Sequence, residues 1–317
     1  MKLLISSVLT ALAVAMTPVM AQDYPSKQIT IVVPYSPSGS SDPVARFLAT
    51  ELQNRWGQNV IVDNRPGAGS TIGTAYVAEA PADGYTILLT TSAYTTAPAV
   101  YEDLPYDPLA MVPVAMPSES PFVITVGSQV KATTVEELAE ESKTRDLFLA
   151  TAGLGSSTHF AGELFTAATG ANVEPVHYKG GTEAMVDLMG GRADIYAGSI
   201  TAVLGNVKAG QIRALAVMGA ERAAALPDVP STEELGIKGA SSGFWLGVFA
   251  PAGTPDDIVQ KLNKEIVDVF ASDGGQEFLT KLDSKAVAMT PAEFKDLVDT
   301  EVAQWKKLAE ERGIKAE

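Results

Sequence analysis

The sequence predicts an α/β protein of two domains, each a mainly parallel sheet flanked by helices, with the chain passing twice between them. Three observations lead there. Short β-branched runs alternate with helical stripes through the first third, and the same alternation restarts in the middle third. The C-terminal part then holds helices with no strand ladder of their own. Alternating β and α elements favour parallel pairing with right-handed crossovers. At 317 residues the chain is long enough for two cores of ordinary size.

The opening "MKLLISSVLTALAVAMTPVMA" reads as an export signal over residues 1–21. Lys2 supplies the positive start, Leu3 to Met16 the apolar stretch, and Val19-Met20-Ala21 the cleavage site. The stretch is too short, and too interrupted by Ser6, Ser7 and Pro18, for a membrane anchor. The mature chain is expected to be free in an extracytoplasmic space, with no membrane insertion.

"QITIVV" is the first strand. In "SDPVARFLATELQNRWG", Asp42 is the expected N-cap and Pro43 opens the helix. Val44, Phe47, Leu48, Leu52 and Trp56 share one face, and Gly57 stops it. "NVIVDN", "GSTIGTAYVAEA" and "GYTILLTTS" complete a βαβαβ run. The middle third repeats the order. "DLFLATA" is a strand, and "STHFAGELFTAATG" a helix with Phe160 and Leu164 inward and Gly170 as stop. "ANVEPVHY" is a strand, "GTEAMVDLMGG" a helix with Met185, Leu188 and Met189 on one face, and "RADIYAG" a strand. Landmarks recur at similar separations, Gly39 to Gly155, Asn59 to Asn172 and Tyr85 to Asp194, as in two domains of one plan.

Further on, Thr254 caps and Pro255 opens a helix with an Ile258, Leu262, Ile266 and Val269 stripe. Thr290 and Pro291 start a closing amphipathic helix. These tail helices are expected to cover the first domain, so the chain crosses near Phe122 to Val126 and near Phe244 to Phe249. The domains are then residues 22–122 with 245–317, and residues 123–244. Two crossings make a hinge.

Composition narrows the function. The formal charge is −15, and removing Lys2 with the signal leaves 22 basic against 38 acidic side chains, or −16. Nucleic acid and anionic membrane surfaces need basic patches, so neither is an expected partner. Zero cysteines rule out thiolate catalysis and Cys-based metal sites. There is no G-x-S-x-G elbow, Walker loop, H-E-x-x-H or EF-hand loop. "RPGAGSTIG" has glycines at 67, 69 and 73, but the dinucleotide fingerprint needs one where Ile72 stands. It reads as a tight turn.

Two stretches remain, "VVPYSPSGSSDPVARF" and "LATAGLGSSTHFAGELF". Each sets a Ser/Gly turn between a strand and a helix, where parallel α/β sheets bind ligands. A helix start offers unpaired N–H groups and about half a positive charge, so such a turn holds a carboxylate without arginine. The bland alternative is that Ser40, Ser41, Ser156 and Ser157 only cap helices. A matched pair of turns favours a binding cleft. His159 beside Ser156, Ser157 and Thr158 raises a rival, a secreted hydrolase using Ser157 and His159. Adjacency does not make a triad, and His159 is read as orienting a ligand or the helix start. His177, before "YKGG", is either a satisfied half-buried residue or a donor on the site rim. A two-histidine metal site requires both to meet across the cleft.

The chain resembles the substrate-binding proteins of tripartite tricarboxylate transporters, often called Bug or TctC-type receptors. The carriers, in family order, are "YPSKQITIVVPYSPSGSSDPVAR", "VDNRPGAGSTIG", "PADGYTILL", "LPYDPL", "AGLGSSTHFAGELF", "YKGGTEAMVDLMGGRADI", "IRALAV", "LPDVPSTEELG" and "APAGTP". The resemblance implies a periplasmic binding protein of the two-domain, Venus-flytrap kind (type II). It implies a monomer that closes on a mono-, di-, tri- or aromatic carboxylate for a permease of large and small subunits, with no cofactor, no metal and no catalysis. The main grips it implies are Tyr35, Ser38, Gly39, Ser40 and Asp42 in the first turn, and Gly155, Ser156, Ser157, Thr158 and His159 in the second. Thr91, Ser92, Lys179, Gly180 and Ser199 supply further contacts. Lys179 is either an anion contact or a solvated loop residue. Ser38 stands where the family usually has glycine, which restricts the turn, adds a hydroxyl and leaves ligand choice open. An oxoanion or amino acid for another transporter is the alternative client.

Overall fold

The computed structural model describes residues 24–37 and 40–315. The export signal expected over residues 1–21, and Ser38 and Gly39 of the first turn, lie outside the described residues.

The first third forms β1 (Ile29–Val33), α1 (Asp42–Trp56), β2 (Val60–Asn64), α2 (Thr71–Ala78), β3 (Thr86–Thr91) and α3 (Ala93–Thr96). A single turn of 3₁₀ helix, Ala97–Ala99, continues α3. The long strand β4 (Val112–Val126) leads to α4 (Val135–Glu141), β5 (Leu147–Thr151), α5 (Ser157–Thr169) and β6 (Val173–His177). Then come α6 (Gly181–Met189), β7 (Ile195–Ser199), α7 (Ile200–Lys208), β8 (Arg213–Met218) and β9 (Gly243–Ala250). The tail holds α8 (Asp256–Ala271), α9 (Asp273–Lys281), β10 (Lys285–Ala286) and α10 (Pro291–Arg312).

Each half of the sheet follows one plan. In the first half β1 lies parallel between β2 and β3, Ile31 beside Val62 and Ile87, and β9 runs antiparallel between β3 and β4. In the second half β5 lies parallel between β6 and β7, and the end of β4 runs antiparallel between β7 and β8. One strand serves both. Val112 to Pro121 of β4 pairs with β9, whereas Phe122 to Val126 pairs with β7 and β8. β9 pairs with β3 and with the first-half stretch of β4, starting at Gly243 opposite Pro121.

Side chains alternate between faces, as a strand's period of two requires. Ile29, Ile31 and Val33 point into a cluster with Val44, Leu48 and Leu52 of α1 and Leu262 and Ile266 of α8. Val32, Leu88 and Phe249 face the other way, onto Phe294, Val298 and Val302 of α10. The first cluster continues through Phe122 and Ile124 into Leu149, Phe165 and Ile195 of the second half. A separate cluster of Met185, Leu188, Ile200, Val203 and Tyr196 covers the second half's opposite face. α8 and α10 thus pack on the first half. The last turns of α10 also reach α5, where Trp305 meets Phe160 edge-on at 5.5 Å.

Two capping expectations are corrected. The N-cap of α1 is Ser41, not Asp42, and it makes no side-chain cap bond. Asp42 begins the helix because its carboxylate is engaged elsewhere, by Arg46 and Asn64. Pro255 occupies the N-cap of α8, while the Thr254 hydroxyl donates back to Pro251 O. Thr290 and Glu293 form the full capping box of α10. Gly57 and Gly170 end α1 and α5 in the left-handed conformation.

Candidate functional site

The carboxyl ends of the parallel strands bring the predicted residues together. Leaving β1, Tyr35 places its hydroxyl 2.8 Å from Thr91 Oγ1 and 3.2 Å from Thr90 Oγ1, at the end of β3. The turn is pinned from behind. Asn64 Nδ2 donates to Tyr35 O (3.1 Å) and to Asp42 Oδ1 (3.0 Å), and Arg46 Nε donates to Asp42 Oδ2 (2.9 Å). Asp42 is buried and its carboxylate is held by this pair, so it shapes the turn.

Past Thr91 the chain enters α3. Thr91 Oγ1 accepts from Ala93 N–H (3.2 Å), and Thr95 Oγ1 donates to Glu301 of α10 (2.7 Å). Glu301 also receives Trp245 Nε1–H of β9 at 3.1 Å. Burial pushes the Glu301 carboxyl above its ordinary value, against the pull of those donors. Ser92 is 5% exposed, and its Oγ has no hydrogen-bond partner among the described residues. Such an orphan is uncommon in a native interior.

The two halves meet next. Thr96 Oγ1 donates to Gly155 O at 2.6 Å, and Tyr101 OH donates to Leu154 O at 3.4 Å. Gly155 has φ +75°, and a Cβ there would lie 3.3 Å from Tyr101 and 3.4 Å from Val100. A path of contacts therefore runs from the first turn, through Thr91 and α3, to the second.

The second turn is partly self-satisfied. Ser156 Oγ accepts from His159 N–H (3.3 Å) as the N-cap of α5, so the capping reading holds for that hydroxyl. Thr158 Oγ1 accepts from Ala152 N–H (2.8 Å) and lies 3.0 Å from Ser156 Oγ. Ser157 is buried, and no hydrogen bond from its hydroxyl is recorded among the described residues. His159 Nδ1 accepts from Gly155 N–H (3.3 Å). Burial, helped by His177, pushes the His159 imidazole down to about 3. The ring is thus neutral, and its 3.9 Å approach to Glu163 is not an ion pair. Glu163 pairs instead with Arg312 at 2.9 Å. With Nδ1 occupied by the turn, His159 is not hydrogen-bonded to Ser157, and nothing here activates that hydroxyl. The two histidines do meet, with ring centroids 4.7 Å apart, but both belong to the second half rather than spanning the cleft.

Ser40 is half-buried in the first turn. Lys179, Gly180 and Ser199 lie farther along the second half. Lys179 is exposed, with its backbone N–H donating to Glu183. Gly180 and Ser199 take the N-cap positions of α6 and α7 without side-chain bonds. Among the described residues no hydrogen bond joins these three to the path. Sequence reasoning missed Thr96, Tyr101 and Glu301, which carry or support the junction. The "SAYTTAPAV" stretch gives no periodic signal for Thr96, and nothing in the sequence links it to Tyr101 or the distant Glu301.

The approaching arginines, Arg46 and Arg312, are each paired to a carboxylate. What remains is a set of hydroxyls and helix-start amides, suited to a small anion. Among the described residues no helix is long and apolar enough to cross a membrane.

Solved structures share this fold. The periplasmic binding protein BugD is 35% identical, with TM-score 0.83, covering 92% of this chain and 100% of its own. Rpa4515 of R. palustris, solved with adipate, is 34% identical with TM-score 0.86, covering 93% and 100%. MatC of Rhodopseudomonas palustris, solved with bound malate, is 29% identical with TM-score 0.83, covering 90% and 99%. The fold is that of the two-domain periplasmic binding proteins. The family model described as "Tripartite tricarboxylate transporter family receptor" matches residues 44–314, and to that receptor family the chain belongs.

Proposed function

We propose that the chain is an extracytoplasmic receptor that captures a small organic carboxylate between its two domains and delivers it to a tripartite tricarboxylate-type permease of large and small subunits. The observation that carries this reading is the Thr96–Gly155 junction, by which α3, following Tyr35's partner Thr91, is bonded to the second Ser/Gly turn. Three facts support it. Ser92 Oγ is buried without a partner among the described residues, the start of α1 lacks a side-chain cap, and two relatives were solved with the dicarboxylates adipate and malate.

In this reading Ser38, Gly39, Ser40, Thr91, Ser92, Ser156, Ser157 and Thr158 present donors, and Tyr35, Asp42, Gly155 and His159 fix their geometry. Lys179, Gly180 and Ser199 are outer contacts. Residues 22–122 and 245–317 form one domain and 123–244 the other. Residues 1–21 are the export signal, and the mature monomer works in the periplasm. Ser157 is a donor here and not a nucleophile. Charge-assisted hydrogen bonds are worth roughly 1.5–3 kcal/mol each, so a few suffice for micromolar binding, about −8 kcal/mol.

Calorimetric titration with malate, adipate, citrate and benzoate, beside phosphate and a sugar, tests the proposal. At least one carboxylate should bind, be recovered unchanged, and at a hundredfold its Kd add about 2.7 kcal/mol to stability. A response to phosphate or sugar with none to any carboxylate would sink the ligand class.

A further inference from the structure

His177 stands at the last position of β6, in register with Thr151 at the end of β5. Its ring lies edge-on to His159, with centroids 4.7 Å apart, which places it in the same corner as the start of α5. Thr151 Oγ1 sits 2.8 Å from His177 Nδ1. The same Oγ1 accepts from Gly153 N–H at 3.3 Å, and its own proton has two acceptors in reach, Val176 O at 3.5 Å and Nδ1 at 2.8 Å, of which the shorter contact favours Nδ1. The neutral ring then carries its hydrogen on Nε2. That nitrogen has no partner among the described residues, and the side chain is exposed.

We infer that His177 is a ligand contact, donating from Nε2–H to the bound carboxylate and taking up a proton as that anion arrives. The inference rests on the carboxylate reading above. Thr151 suits both states, because its hydroxyl donates to a neutral Nδ1 and, after rotation, accepts from a protonated one. The groups facing the ring are His159 and Glu163 from α5 and Thr151 from β5. Glu163 is held by Arg312 of α10, and Tyr178 and Lys179 follow on the same strand end. In the free protein burial keeps the His177 imidazole below its ordinary value, although Glu163 pulls it upward. A second anion at that corner adds to the pull of Glu163 and favours the cation. Affinity should then rise as pH falls from 8 toward 5.5.

The experiment is calorimetric titration of malate and adipate into wild type, His177→Gln and His177→Ala, at several pH values between 5.5 and 8. Each titration is run in two buffers of different ionisation heat. Wild type should take up protons on binding near pH 6, and neither variant should match that uptake. His177→Ala should bind about tenfold more weakly at pH 6, with a smaller deficit at pH 8, the loss expected for one charge-assisted bond. His177→Gln keeps a neutral donor and should stay within about threefold of wild type at pH 8. Equal proton uptake in wild type and His177→Ala, with affinities within about twofold, overturns the inference alone. If wild type binds neither these acids nor any other carboxylate, the parent reading fails and this one with it.

Discussion

A buried hydroxyl with no partner among the described residues costs free energy in the free protein and, in the proposed reading, becomes a donor once a ligand arrives. Ser92 therefore makes two opposed predictions. Ser92→Ala should leave the unliganded protein as stable or up to about 1 kcal/mol more so, because the orphaned oxygen is gone. It should also weaken carboxylate binding by about tenfold. Urea unfolding and calorimetry read the two effects separately, and lost stability with unchanged affinity would contradict the assignment.

His159 makes a prediction about acid. Its imidazole is pushed down to about 3 by burial, from an ordinary 6.5. Below pH 6.5 the unfolded chain binds a proton that the folded one refuses, so stability falls with pH until about 3. The slope is at most about 1.4 kcal/mol per pH unit. His159→Asn keeps a polar acceptor near the Nδ1 position and removes the titration. Its unfolding free energy should drop less than wild type's between pH 7 and 4.5, and parallel losses would show that His159 titrates normally. At this scale the sequence left Ser156 open between cap and ligand contact, because a serine before a helix serves either use. The 3.3 Å bond from His159 N–H shows that its oxygen caps the helix, which leaves the hydroxyl proton free to donate.

Among the elements, the one least legible is the one that joins the halves. α3 has four residues, too few to show a period, and its Thr95 and Thr96 find partners far away in sequence, at Glu301 and Gly155. β4 was also obscured. Its run "VPVAMPSESPFVITV" holds Pro113, Pro117 and Pro121, which argue against a strand. The structure accommodates them where register shifts, between Pro113 and Ser118, and where the strand changes partners after Pro121. By contrast the long helices were readable, since Val44, Leu48 and Leu52, or Leu262 and Ile266, mark a buried face by spacing alone.

Two substitutions test the junction. Gly155→Ala must adopt φ +75° and push against Tyr101 and Val100, costing about 1–2 kcal/mol in urea unfolding. Glu301→Ala strips the partner from buried Trp245 Nε1, leaves Thr95 Oγ1 with Ser92 O alone, and should cost about 1–3 kcal/mol. If Glu301→Ala unfolds like wild type, α3 is not anchored through α10.

At the scale of the molecule, one hydrophobic cluster runs from Ile29 and Leu48 through Phe122 to Leu149 and Ile195. The two halves should therefore unfold together. A single transition is expected, superimposable by tryptophan fluorescence and far-ultraviolet circular dichroism. Two resolved steps would mean that the shared cluster does not couple them.

The strand common to both sheets has a mechanical consequence. Because β4 is paired on either side of Pro121–Phe122, the closing motion of the proposed receptor would flex this shared strand with no ladder unzipped. Pro121 fixes one torsion angle at that seam, leaving few soft angles to share the swing. Such a joint would permit a narrow arc in a repeatable direction, which suits the jaws of the proposed receptor, returning to the same bite each time a guest departs.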